Sequence, residues 1–160
     1  MDNLFSSHSV QQLIQPIFGK SCCRKQVGFR KSLSMGFGLK VPHLNKKARD
    51  NYYGEWEIGS YNSAWRVIRN GQILCASNDP VDSIEELDLA FNRVEFGCLV
   101  SLKLLTDMDV RLTFDQEIIV DFLSSTSDED ESFHVFCPQA YLAFVVGKGW
   151  IIESESPQSR

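Results

Sequence analysis

No apolar run in this 160-residue chain approaches the roughly 18 residues that a membrane span requires. The opening Met-Asp-Asn-Leu-Phe-Ser-Ser-His has neither a basic start nor an apolar stretch behind it, so no secretory signal is expected. There are only three histidines, His8, His43 and His134, and none of the patterns H-x-x-x-H, H-E-x-x-H or D-x-D-x-D-G occurs. A dedicated metal site therefore has no support. Gly36-Phe-Gly38 and Gly147-Lys-Gly149 complete neither G-x-x-x-x-G-K-[ST] nor G-x-G-x-x-G, and read as turns and a bulge rather than phosphate loops. Five cysteines form no C-x-x-C pair; Cys22 and Cys23 are neighbours, and a disulfide between neighbours is strained. Cys75, Cys98 and Cys137 read as small buried hydrophobes. With 43% hydrophobic and 23% charged residues the chain is neither fibrous nor wholly disordered. The expectation is one soluble, cytoplasmic domain over residues 1–160 without a cofactor.

What is present is an uneven distribution of charge. Residues 1–50 carry nine Lys or Arg against two acids, and residues 51–160 carry seven against nineteen. The net charge of −5 thus conceals fields of +7 and −12. Either the halves attract one another, or a basic patch faces nucleic acid, or an acidic patch faces a basic protein.

Sliding the chain against itself by 77 or 78 positions aligns Phe18-Gly19 with Phe96-Gly97 and Leu33-Ser-Met35-Gly-Phe37 with Val110-Arg-Leu112-Thr-Phe114. It also aligns Trp56-Glu-Ile58 with Phe133-His-Val135, and Trp65 to Leu74 with Ala143 to Ile152. This pattern predicts a tandem duplication, with repeats of about 9–75 and 83–153. Each half opens with a short helix. Ser9-Val-Gln-Gln12 and Ser83-Ile-Glu-Glu86 have the form of capping boxes, and Pro16 ends the first helix.

Alternating stretches then predict strands over Leu99 to Leu105, Val110 to Phe114, Glu117 to Leu123, Phe133 to Cys137, Leu142 to Val146 and Trp150 to Glu153. In the first half Glu55 to Gly59, Ala64 to Ile68 and Gln72 to Cys75 follow the same grammar, with Asn70-Gly71 as a hairpin turn. Lys40 to Tyr53 reads as a mobile loop, and 154–160 as a disordered tail. The expected class is α+β: two short-helix-plus-antiparallel-meander repeats whose sheets pack face to face or join into one larger sheet or partial barrel.

Three sets of residues are candidates for function. The acidic run Asp128, Glu129, Asp130 and Glu131 would steer a basic protein partner. Lys46, Lys47 and Arg49 beside Tyr52 and Tyr53 would suit single-stranded nucleic acid, stacking bases on the rings, although the acidic balance of the whole opposes it. Cys22 or Cys23 with His43 would serve a small thiol enzyme only if the thiol were depressed in pKa. Glu55 and Glu57 flank Trp56 on the face opposite it and read as a solvated strand face rather than an acid–base pair. His134, between Phe133 and Val135, reads as an ordinary outward strand residue.

Gly54-Glu-Trp56-Glu-Ile58, followed by Trp65-x-Val67-x-x-x-Gly71-x-Ile73, resembles small uncharacterised bacterial proteins, some of them immunity-protein-like members of toxin–immunity loci. The resemblance spans residues 54–152, and its motifs are structural. It brings no catalytic residue with it and implies a protein that binds another protein. The reading that follows is a non-enzymatic inhibitor, monomeric or paired through an exposed sheet edge, whose partner is a basic protein such as a toxin or nuclease.

Overall fold

Alternation of apolar and polar side chains governs most of this chain, and it produces sheets. In the computed structural model, which describes residues 8–44, 52–61, 63–128 and 131–154, helix α1 (His8–Ile14) leads through a 3-10 turn containing Pro16 into β1 (Cys22–Val27), β2 (Leu33–Pro42), β3 (Tyr52–Ser60), β4 (Ser63–Arg69) and β5 (Gln72–Ala76). Helix α2 (Ile84–Asn92) then precedes β6 (Leu99–Leu104), β7 (Val110–Phe114), β8 (Ile118–Ser124), β9 (Glu131–Phe136), β10 (Ala140–Val145) and β11 (Gly149–Ser154).

The strands form two antiparallel sheets, ordered β1-β2-β3-β9-β10-β11 and β5-β4-β8-β7-β6. Leu33, Met35 and Phe37 of β2, Val110, Leu112 and Phe114 of β7, and Ile118, Val120 and Phe122 of β8 all enter one shared core. Rings from opposite sheets meet there, Phe37 with Phe114 at 6.0 Å and Phe122 with Phe133 at 5.0 Å. Two sheets share this core, and among the described residues no barrel closes. Helix α2 covers one side. Ser83 caps it by accepting from the Glu86 amide, Leu87 and Phe91 point inward, and Asp88 accepts from the Val27 amide at 2.7 Å. Lys25 reaches its C-terminal end, donating to the carbonyls of Asn92 and Val94, where the helix dipole favours a cation.

The strand order has a regularity of its own. Exchanging β1 with β6, β2 with β7, β3 with β8, β4 with β9 and β5 with β10 converts β1-β2-β3-β9-β10 into β6-β7-β8-β4-β5. β11 stands outside the exchange, at an edge. The starts of β1 and β6 meet at an isolated bridge between Ser21 and Cys98. There the Gly38 amide donates to the Ser21 carbonyl at 3.0 Å, and the Asp115 amide to the Cys98 carbonyl at 3.0 Å. Both pairs lie 77 positions apart, matching the offset along the sequence.

Past β7 that offset no longer tracks the strand order, in which β3 answers to β8 and β4 to β9. Trp56-Ile58 and Phe133-Val135, aligned by sequence, belong to neighbouring strands instead, with Ile58 opposite Val135. The β2–β3 connection is longer than the Asp115–Glu117 turn between β7 and β8, which shifts every later match.

Other expectations need adjustment. Helix α1 begins at His8, so Ser9 lies inside it rather than at its cap. The ends of the Lys40–Tyr53 stretch are strand rather than loop, because Lys40 pairs with Gly54 and Val41 with Tyr53, and its residues 45–51 lie outside the described residues. Ser154 closes β11, and the rest of the expected tail, 155–160, lies outside the described residues. No helix among the described residues is long and apolar enough to cross a membrane.

Candidate functional site

Connections between strands gather where the two sheets exchange their chain. The β1–β2 turn, the start of β4, the segment after β5 and the loop after β8 together line a cleft of about 250 Å³. Arg30, Lys31, Tyr61, Ser63, Asn78 and Ser125 are the residues that give it chemical character.

The β1–β2 turn is the unusual component. Arg30 and Lys31 both take positive φ, 55° and 60°, a region costly for side chains with a Cβ. The turn is held from beneath, because the indole of Trp65 donates to the Lys31 carbonyl at 2.8 Å. Phe29 beside them is exposed, with the Arg30 guanidinium 5.3 Å from its ring. The opposite wall is fixed by its own bonds. Ser63 donates to the Ser132 carbonyl, and Ser77 accepts from the Trp65 amide at 3.0 Å.

Tyr61 links the cleft to a second cluster on the outer face of the first sheet. Its ring lies 4.7 Å from that of His134, which also contacts Phe136 at 5.4 Å and Tyr141 at 6.0 Å. His134 is only 5% exposed, although it points away from the core as expected, because these rings enclose it. Gly59 makes room for it: a Cβ there would stand 2.4 Å from the Leu33 carbonyl and 3.1 Å from Nε2 of His134. Nδ1 of His134 stands 3.3 Å from Oε1 of Glu131 without forming a hydrogen bond, and Tyr141 donates its hydroxyl to the same oxygen.

Burial by itself would raise the Glu131 carboxyl. The interaction with His134 and the Tyr141 bond, with the imidazole's charge, outweigh burial and leave it below its ordinary value of 4.5. A carboxyl depressed on folding stabilises the fold above its unfolded pKa and loses that contribution as pH falls through the folded one. The stability gap between the native chain and Glu131→Gln, measured by urea denaturation, is therefore expected to be full at neutral pH. It should start to narrow below pH 4.5 and go on narrowing as pH falls through the depressed folded value; a gap as wide in acid as at neutral pH would contradict the assignment.

Of the acidic run, Asp128 is exposed, its amide taken by Thr126, while Glu131 is turned into the sheet; Glu129 and Asp130 lie outside the described residues. The rest of the acidic half is partly neutralised. Asp121 is inaccessible to solvent between Arg66 and Arg111, and Glu57 is paired with Arg24 at 2.9 Å. Glu55 meets Lys20 at 3.0 Å, so the carboxylates flanking Trp56 each have a cation from the basic half. The halves of opposite charge do attract one another at these points.

Lys46, Lys47 and Arg49 lie outside the described residues. Tyr52 donates to the Cys23 carbonyl and carries Lys40 4.6 Å above its ring, and Tyr53 packs against His43 at 4.9 Å. Each ring therefore already has a neighbour from its own chain. Burial pushes the Cys22 thiol up to about 12 and raises Cys23 as well, the opposite of what a nucleophile needs. Among the described residues no three His, Cys, Asp or Glu side chains cluster as metal ligands do.

The sequence did not mark Arg30 and Lys31 as a unit, and it marked His134 only as an outward strand residue, not as one enclosed by rings. The adjacent cations in Arg30-Lys31 were visible, but their left-handed turn carries no Gly or Asn to signal it. The rings around His134 come from distant segments.

No protein-family model, curated protein or solved structure matches the chain.

Proposed function

We propose that the chain is a non-catalytic binding protein that offers the acidic loop between β8 and β9 to a basic protein partner. One observation carries this reading. The carboxylates in the sheets, Glu57 and Asp121, are matched by arginines, whereas Asp128 stands exposed on a loop and has no ion pair with any described residue. Loops held by a rigid sandwich are where recognition commonly resides, and uncompensated charge there accelerates encounter with a partner of opposite sign. The resemblance to immunity-like proteins points the same way, toward a toxin or nuclease that the loop would occlude.

The same proposal includes an origin by tandem duplication. Its support is the exchange symmetry of the strand order and the matching bonds at Ser21 and Cys98. Glu57 and Asp121, each an arginine-paired carboxylate on an outer face, lie on β3 and β8, the strands that the exchange matches. The acidic run belongs to one copy only, in keeping with a single recognition surface.

The test is affinity capture from host lysate with the tagged chain and with its D128N/E129Q/D130N variant side by side. A basic protein released by moderate salt from the native chain and missing from the variant is the expected result. Equal recovery on both would overturn the loop as the binding surface. Nucleic acid that co-purifies and is removed by nuclease would move the reading to Lys46, Lys47, Arg49, Tyr52 and Tyr53.

A further inference from the structure

We propose that the cleft between the β1–β2 turn and the start of β4 binds a small phosphomonoester, with Arg30 and Lys31 as its cationic wall. The site is independent of the acidic-loop reading and uses different residues.

The charge at the cleft runs against that of the protein. The chain carries −5 overall, yet the residues lining the cleft include two cations and no carboxylate. Arg24, Arg66 and Arg111 are each bound to an acid. Arg30 and Lys31 have no ion pair with any described residue, and Arg30 lies over the ring of Phe29. Asn78 and Ser125 add an amide and a hydroxyl that no described group occupies, both exposed at the cleft. A guanidinium, an ammonium and neutral donors around one opening suit a headgroup with three oxygens and up to two negative charges.

The backbone points to the same residues. This chain forms another tight left-handed turn at Asn70 and Gly71, φ 51° and 74°, with the residue types such a turn favours. Arg30 and Lys31 adopt similar angles without that relief, on a turn clamped by the Trp65 indole. Strain kept in place by surrounding structure is characteristic of binding sites. Here its effect is to hold two cations at one opening.

Size selects the ligand class. The cleft, at about 250 Å³, is smaller than the roughly 300–1,000 Å³ that accommodates drug-sized molecules. It suits a phosphoryl group bearing something as small as a pentose, with the Tyr61 ring at hand for the carbon portion.

Thermal denaturation and calorimetry with ribose 5-phosphate, inorganic phosphate and ribose test this. Ribose 5-phosphate at ten times its Kd should raise the melting temperature of the native chain by roughly 3–6 °C, and ribose should not. The double variant R30N/K31G installs the favoured turn residues. It should melt roughly 3–6 °C higher than the native chain without ligand, and show no further rise with ribose 5-phosphate. A second variant, N78A/S125A, leaves the turn as it is and should weaken the affinity about tenfold. No response of the native chain to millimolar ribose 5-phosphate, or an equal response in R30N/K31G, would overturn the site. Inorganic phosphate binding as tightly as ribose 5-phosphate would overturn the ester as the ligand.

Discussion

Asp121→Asn is expected to lower the melting temperature by about 5–10 °C, as read by circular dichroism. Asp121 lies at the centre of β8 on the outward face of the second sheet, yet it is 0% exposed. Its Oδ1 accepts from Nε of Arg111 at 2.7 Å, and its Oδ2 from Nη2 of Arg111 at 3.0 Å and Nε of Arg66 at 2.9 Å. The two arginines flank it on the neighbouring strands β7 and β4, and Lys103 pairs with Arg111 one strand further out. Without the carboxylate charge, three cations share one row across the sheet. Breaking a fully buried pair costs about 3–5 kcal/mol. Each guanidinium here is about a third exposed, so water screens part of that loss and about 2–3 kcal/mol remains. High salt should narrow the difference between variant and native chain. A drop below about 2 °C would mean that the arginines simply turn to solvent.

The same carboxylate marks how far the chain can be read without its structure. Local rules were dependable: Val110–Phe114 is a strand with the expected bounds, Asn70 and Gly71 make the expected turn, and Ser83 caps α2 through the Glu86 amide. Each depends on residues within a few positions of one another. β1 was not expected, because Cys22 to Gln26 are all half-buried and show no alternation. One of its side chains, Arg24, is held by Glu57, 33 positions away. The acidic half likewise looked like an open field of charge until Asp121 and Glu57 were placed against arginines. The cleft was the least legible feature. Its lining residues come from four separate segments, and its turn dispenses with the glycine or asparagine that would have announced it. The 77-position offset seen in the sequence also separates the matching bonds at Ser21 and Cys98. Beyond β7 the sequence matches and the strand order part, because the β2–β3 connection is longer than the β7–β8 turn.

Trp65 connects these two levels, core and cleft, and its removal should have the largest effect. Trp65→Ala is expected to cost about 3–5 kcal/mol, lowering the melting temperature by about 8–15 °C. The ring is 1% exposed in the shared core and meets Phe91 of α2 edge-on at 5.5 Å, so its loss opens a cavity where helix and sheet pack. The indole nitrogen has a separate task, because it donates to the Lys31 carbonyl and thereby holds the strained β1–β2 turn. Trp65→Phe separates the two roles. It keeps most of the ring's volume and removes the donor, for about 1–2 kcal/mol. Amide exchange should then quicken at Arg30, Lys31 and Ser32 while the amides of β8 stay protected. If Trp65→Phe were as damaging as Trp65→Ala, the hydrogen bond rather than the packing would govern stability here. If exchange in the turn did not change, the turn would be holding its left-handed form without the indole. Quickened exchange confined to the turn would instead show that one buried ring supports the core and sets the geometry of the two cations at the cleft.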